Sequence, residues 1–283
     1  MNTFTDSIET PSGKDTEYEN FPVGSWLLPA HLRRHIIIFY RFARAIDDIA
    51  DNPDLNSNEK IRRLDGFEKA IIGIDETNSL YETAHKMRHS LKISNIGTQH
   101  CIDLIAAFKL DAVKWRYDSW DDLMSYCSLS AVPVGRYLLD LHGGSKDGYG
   151  PSDALCKALQ VINHLQDCQE DFQLLNRVYL PMDWMNKEGV SVEQLSLRSS
   201  TPGLKRVISK TLQATEHLMI DAKVLPYGLQ SRRLTMESAA IIRIADLLIK
   251  KLKYEDPLSN RIVLKKYEYF ICFGIGAIYG LFS

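Results

Sequence analysis

Aspartates recur at four-residue spacing at two places in this chain, a pattern that can hold divalent cations. In IIIFYRFARAIDDIAD, residues 36–51, a helix turning about 100° per residue sets Tyr40, Arg44, Asp47 and Asp51 on one narrow stripe. Isoleucine, phenylalanine and alanine fill most of the remaining surface. A carboxylate removed from water without a partner is very costly, so this seam has to meet cations or a water-filled cavity. In QVINHLQDCQEDF, residues 160–172, Gln160, Asn163, Asp167 and Asp171 share a second stripe, the two aspartates at i and i+4. If the two helices face each other across a central cavity, five carboxylates (Asp47, Asp48, Asp51, Asp167 and Asp171) can bind several magnesium ions. Magnesium takes oxygen ligands, keeps some water and is completed by phosphate oxygens, so a diphosphate is the expected ligand.

The groups beside the ladders admit two readings each. Arg44 is either a counter-ion for Asp48, four residues on, or a grip for phosphate, which guanidinium geometry suits. Tyr40, Tyr126 and Tyr179 serve either as core aromatics with a bonded hydroxyl, or as cavity groups that touch diphosphate or stabilise a cation over the ring face. Arg177 and Tyr179 follow Asp171 in an extended turn. His164 is a satisfied helix histidine or a donor to substrate. The remaining histidines show no metal spacing, and neither a nucleophile elbow nor a P-loop is present.

Positioning these residues requires helices. The first is expected from about His31 to Asp51, where Pro53 stops it. Segments near 58–74, 78–91 and 97–115 carry apolar residues at three- and four-residue spacing and read as amphipathic scaffold. In DSWDDLMSYCSLSAVPVGRYLLDLHGG, small residues allow a close approach to the backbone, and Pro133 predicts a break. The next helix starts around Pro151, carries the second ladder and is expected to run to about Leu175. Helices near 203–222 and 234–253 look like walls. No period-two alternation appears, so the fold class is all-α.

The 283 residues are expected to form one domain over 17–283, a helical bundle around a central cavity, preceded by a mobile polar tail at 1–16. Hydrophobic residues make up 45% of the chain, enough for a large core. With 34 basic against 36 acidic residues the net charge is −2, and nothing points to nucleic acid. The five cysteines lack C-x-x-C spacing and read as buried thiols. The start lacks the basic and apolar regions of a secretory signal, so a cytoplasmic location is expected. Residues 269–282 are apolar all round yet shorter than the roughly 20 residues a spanning helix needs. They are expected to form a buried final helix. The alternative is contact with the inner membrane surface, helped by Lys250, Lys251, Lys253, Lys265 and Lys266.

The ladder with Tyr40 and Arg44 before it, the segment Tyr126 to Gly135, and Gln160-x-x-Asn163-x-x-x-Asp167-x-x-x-Asp171 followed by Arg177 and Tyr179 together resemble the squalene and phytoene synthase family. The resemblance implies an isoprenoid synthase-type bundle, magnesium as cofactor and prenyl diphosphate substrates. It covers nearly the whole chain after the tail. Tyr18-Glu-Asn-Phe21-Pro22, Ala131-Val-Pro-Val134-Gly135 and Gln166-Asp167 are similar to the bacterial hopanoid branch, which turns presqualene diphosphate into hydroxysqualene. Phe21, Val134 and Gln166 thereby become substrate-binding candidates. Family members that couple two prenyl diphosphates often carry arginine where Gln166 stands, which argues against coupling here. The resemblance also allows association with other enzymes of squalene synthesis. A coupling synthase and a non-catalytic isoprenoid-binding protein are the competing functions.

Overall fold

The computed structural model describes residues 28–144 and 148–282. Among these residues the regular structure is helical, with one isolated β-bridge between Arg116 and Val178 and no strand. The tail expected at 1–16 and Phe21 lie outside the described residues. Residues 30–113 pack as one compact unit, and residues 28–29 with 114–282 as a second.

The first unit is built from α1 (Ala30–Asp51), α2 (Ser57–Ile72), α3 (Glu82–Ser94) and α4 (Gln99–Asp111). Helix α1 buries Ile36, Phe39, Phe42, Ile46 and Ile49 against the other three. It ends where Pro53 withholds a backbone donor. The Asn56 side chain then caps α2 by accepting from the Glu59 N–H at 3.0 Å, and Gly73 closes it in the left-handed region at φ 85°. Phe67 lies edge-on to Tyr81 at 5.5 Å. A Cβ on Gly66 would fall 2.0 Å from the Tyr81 ring, so this close approach requires glycine. Phe42, Leu64, Ile71, Met87, Leu104 and Ile105 complete the core, each contributing about 1.5–3 kcal/mol by burial. This packing fixes the seam of α1.

The second unit contains α5 (Trp120–Ser130), α6 (Val132–Leu141), α7 (Tyr149–Gln166), α8 (Cys168–Leu175), α9 (Met182–Lys187), α10 (Pro202–Ala222), α11 (Arg232–Tyr254) and α12 (Lys266–Phe282). The break that Pro133 predicts falls at Ala131, between α5 and α6. At Gly135 the close approach is made by α7: an added Cβ would meet Cys156 Sγ and Ser152 Oγ at 2.5 Å. Helix α7 also packs on α10 and α11, and α12 packs on α11.

Two expectations are corrected. The helix carrying the second ladder is not continuous to Leu175; it breaks at Asp167, whose backbone leaves helical geometry at φ −106°, ψ 8°. At that joint the side chains of Gln166 and Asp167 both reach the distant segment Arg261–Ile262. The final helix is not buried all round. Cys272 and Gly276 face α11, where a Cβ on Gly276 would lie 2.5 Å from Met236 O, while Tyr267, Phe270, Ile271, Ile275 and Ile278 are exposed. The apolar content that suggested burial forms one packed face and one bare one. No helix among the described residues is long and apolar enough to cross a membrane.

Candidate functional site

The seam of α1 is held from within its own helix. Arg44 places Nη1 2.8 Å from Asp47 Oδ2 and Nε 3.2 Å from Asp48 Oδ1, which supports the counter-ion reading. Asp48 is 7% exposed and Asp47 25%. Although a quarter of the Asp47 side chain reaches solvent, dense surrounding protein strips its carboxylate of hydration and raises its pKa well above the usual carboxylate range. Asp51, Asp48 and Asp111 push the same way by charge, against the pull of Arg44. Asp51 and Tyr40 are half-buried. Lys60, from α2, donates to Ala50 O at 2.7 Å, placing a cation at the C-terminal turn of α1.

The second ladder is held from outside. The Asp171 N–H still bonds Asp167 O at 2.8 Å across the break, so the i, i+4 relation survives. The Asp167 carboxylate accepts from Arg261 Nε at 3.0 Å, ninety-four positions along the chain. Gln166 is buried, and its amide donates to Ile262 O. That amide therefore anchors the segment that delivers Arg261 and does not line the polar stripe. Gln160, Asn163, His164 and Asp167 are half-buried on that stripe.

Beside the stripe stands an aromatic cluster. Residues 115–118 run alongside 178–183, with the Val178 N–H bonded to Trp115 O and the Met182 N–H to Tyr117 O, both at 2.9 Å. This pairing stacks Tyr117 on Tyr179 at 5.5 Å, and Tyr126 closes on them at 5.1 and 5.6 Å. The His164 ring lies flat on Tyr179, 3.6 Å between centroids and 10° between planes. Loss of hydration, then the charge of buried Arg177, pushes the His164 pKa down to about 3, so the imidazole is neutral. Val134 lies half-buried in the first turn of α6.

Among the described residues no three ligand-type side chains stand together at metal-binding geometry. The donor set is nevertheless carboxylate oxygen throughout. Loss of hydration first and then repulsion from Asp51, Asp48 and Asp111 raise the Asp47 pKa, and a divalent cation relieves that repulsion. Magnesium takes one or two protein carboxylates and completes its shell with water and phosphate, so these residues fit it.

A sequence profile described as squalene/phytoene synthase matches residues 15–268. The chain belongs to the squalene/phytoene synthase family. It is 41% identical to a hydroxysqualene synthase of Rhodopseudomonas palustris, covering 94% of this chain and 90% of that protein. It is 37% identical to one of Zymomonas mobilis, over 91% and 86%. The crystal structure of a squalene synthase from Alicyclobacillus acidocaldarius superposes with a TM-score of 0.71 at 28% identity, covering 82% of this chain and 86% of that one. A dehydrosqualene synthase matches in fold at a TM-score of 0.75 and 20% identity, over 93% and 92%. The fold is the all-α isoprenoid synthase fold of these neighbours.

The structure brings to the ladders and the aromatic cluster four groups that sequence reasoning missed: Asp111, Lys60, Tyr117 and Arg261. Asp111 sits at the end of an amphipathic helix without a partner at i+4, Lys60 and Arg261 are single charges in ordinary surroundings, and Tyr117 precedes a turn. A signal existed for Tyr117 alone, as a third tyrosine near the segment that carries Tyr126.

Proposed function

We propose that this family member ionises presqualene diphosphate and lets water capture the rearranged cation, giving hydroxysqualene and diphosphate. The observation that carries the reading is the 41% identity to a hydroxysqualene synthase over 94% of the chain, with both ladders intact. Asp47, Asp51, Asp167 and Asp171 would hold magnesium, which when bound draws charge from the departing diphosphate. Asp48, tied to Arg44, orients that guanidinium, and Arg44 and Arg261 supply further positive charge. The packed rings of Tyr117, Tyr126 and Tyr179, with His164 stacked on Tyr179, keep stray water from the cation. Residues 17–283 act as one catalytic domain.

A second reading is coupling of two prenyl diphosphates. It is favoured by Arg261, which brings to Asp167 a guanidinium that Gln166 cannot supply. Purified protein with magnesium and no reductant, offered presqualene diphosphate or farnesyl diphosphate separately, distinguishes the two. Hydroxysqualene from the first substrate and no product from the second supports water capture. Presqualene diphosphate formed from farnesyl diphosphate makes the protein a coupling enzyme.

The bare face of α12, with exposed Lys265 and Lys266 at its start, suits peripheral contact with an anionic lipid surface. Co-sedimentation with anionic vesicles that is lost on Phe270→Glu supports this contact. Equal sedimentation of the two proteins contradicts it.

A further inference from the structure

We infer that His164, held by Gln160 and Tyr179, accepts the proton from the water that captures the cation. This rests on the hydroxysqualene reading and deepens it by naming the group that makes the product an alcohol.

His164 occupies the polar stripe of α7 beside Asn163 and one turn before Asp167. Its ring lies flat on Tyr179, at the edge of the packed cluster of Tyr117, Tyr126 and Tyr179. Nε2 lies 3.3 Å from the Gln160 amide nitrogen as placed. An amide can present either end to a ring nitrogen. With its carbonyl toward His164, Nε2–H donates to Gln160 and Nδ1 keeps its lone pair. Among the described residues Nδ1 has no hydrogen-bond partner, and the side chain is half-buried, not sealed. A neutral imidazole with one nitrogen fixed and the other open is the arrangement of a general base.

Neighbouring groups fit the task less well. Gln166 holds Ile262 O, Arg177 is cationic, and burial pushes the thiols of Cys156 and Cys168 up to about 12, so both stay protonated. The low basicity of His164 is no obstacle, because a protonated alcohol is a far stronger acid than an imidazolium.

The step balances without oxidant or reductant. The carbon–oxygen bond to diphosphate breaks and its electron pair leaves with the diphosphate. A water lone pair forms the new carbon–oxygen bond, and one water proton passes to Nδ1. That proton later leaves to the released diphosphate or to bulk water. If the water is not held, the cation loses a proton from carbon instead and an olefin results.

The test is product partition with presqualene diphosphate and magnesium, expressed as alcohol per diphosphate released, so that a change in overall rate does not obscure it. For His164→Leu, which keeps bulk and removes both nitrogens, we expect the alcohol share to fall at least about tenfold, with olefin in its place, a modest part of what a general base contributes. His164→Gln, which restores an acceptor, should recover part of it. A leucine variant with the wild-type alcohol share overturns the proposal. Should that variant release no diphosphate, Gln160→Leu reads the same partition: a reduced share supports the proposal and an unchanged share overturns it. Wild-type protein that makes no hydroxysqualene at all would instead refute the underlying function, a result distinct from either.

Discussion

The two aspartate ladders look alike in sequence and are held in opposite ways. The first sits on an unbroken helix and is partly offset by Arg44 of the same helix, so its electrostatics are local: three crowded carboxylates, a fourth from Asp111, and one guanidinium inside the cluster. The second straddles a helix break, takes Arg261 from a remote segment and borders an aromatic cluster. One region stores negative charge that a cation relieves. The other packs aromatic rings and an uncharged imidazole against one another, with Lys114 4.7 Å over the Tyr117 ring. A motif match alone treats them as equivalent.

The largest expected effect is on turnover. Asp47→Asn and Asp167→Asn should each lower kcat by roughly a hundredfold to a thousandfold, the usual scale for losing one preorganised electrostatic contact to a transition state. Steady-state diphosphate release, with circular dichroism as a control for folding, measures this. Equal losses from the two would show that both ladders act on one event despite their different construction.

Removing the arginines should separate the ladders by stability. Arg44→Ala removes the guanidinium paired with buried Asp48 and should cost about 2–3 kcal/mol, below the full cost for a buried pair because 21% of Arg44 reaches solvent. The Arg261–Asp167 pair is 43% and 29% exposed, so Arg261→Ala should cost at most about 1 kcal/mol while still slowing turnover. Denaturant titration of both variants checks the order, and equal destabilisation would erase the distinction.

The smallest effect is a difference in pH slope. Asp47, with a raised folded pKa, favours folding below the ordinary value of 3.8, and that contribution is lost as pH rises through the folded value. His164, depressed from 6.5 to about 3, acts oppositely: its contribution is present above 6.5 and is lost as pH falls toward 3. Burial, then the charges of Arg34 and His31, depress His35 likewise. In magnesium-free melting curves, Tm of Asp47→Asn should therefore rise more steeply with pH than wild type, and Tm of His164→Leu less steeply.

Periodicity alone made α1 and its seam legible, because an apolar helix with one polar stripe has few places to put it. The break at Pro133 was legible for the same local reason: proline constrains its own backbone. The break at Asp167 was not, since nothing in QDCQED forbids a continuous helix and the joint coincides with bonds to Arg261 and Ile262. Asp111, Lys60 and Arg261 reach the ladders through tertiary packing, which sequence spacing does not encode. The final helix misled because its apolar residues, counted together, conceal that Cys272 and Gly276 face α11 while Phe270 and Ile271 do not.

The most direct test of the account is calorimetric titration of inorganic diphosphate, in excess magnesium, into wild-type protein, Asp47→Asn and Asp167→Asn. If both ladders hold magnesium for one departing diphosphate, the wild type binds, each substitution abolishes or severely weakens binding, and omitting magnesium does the same to the wild type. Unchanged binding in either variant, or binding that needs no magnesium, would contradict it.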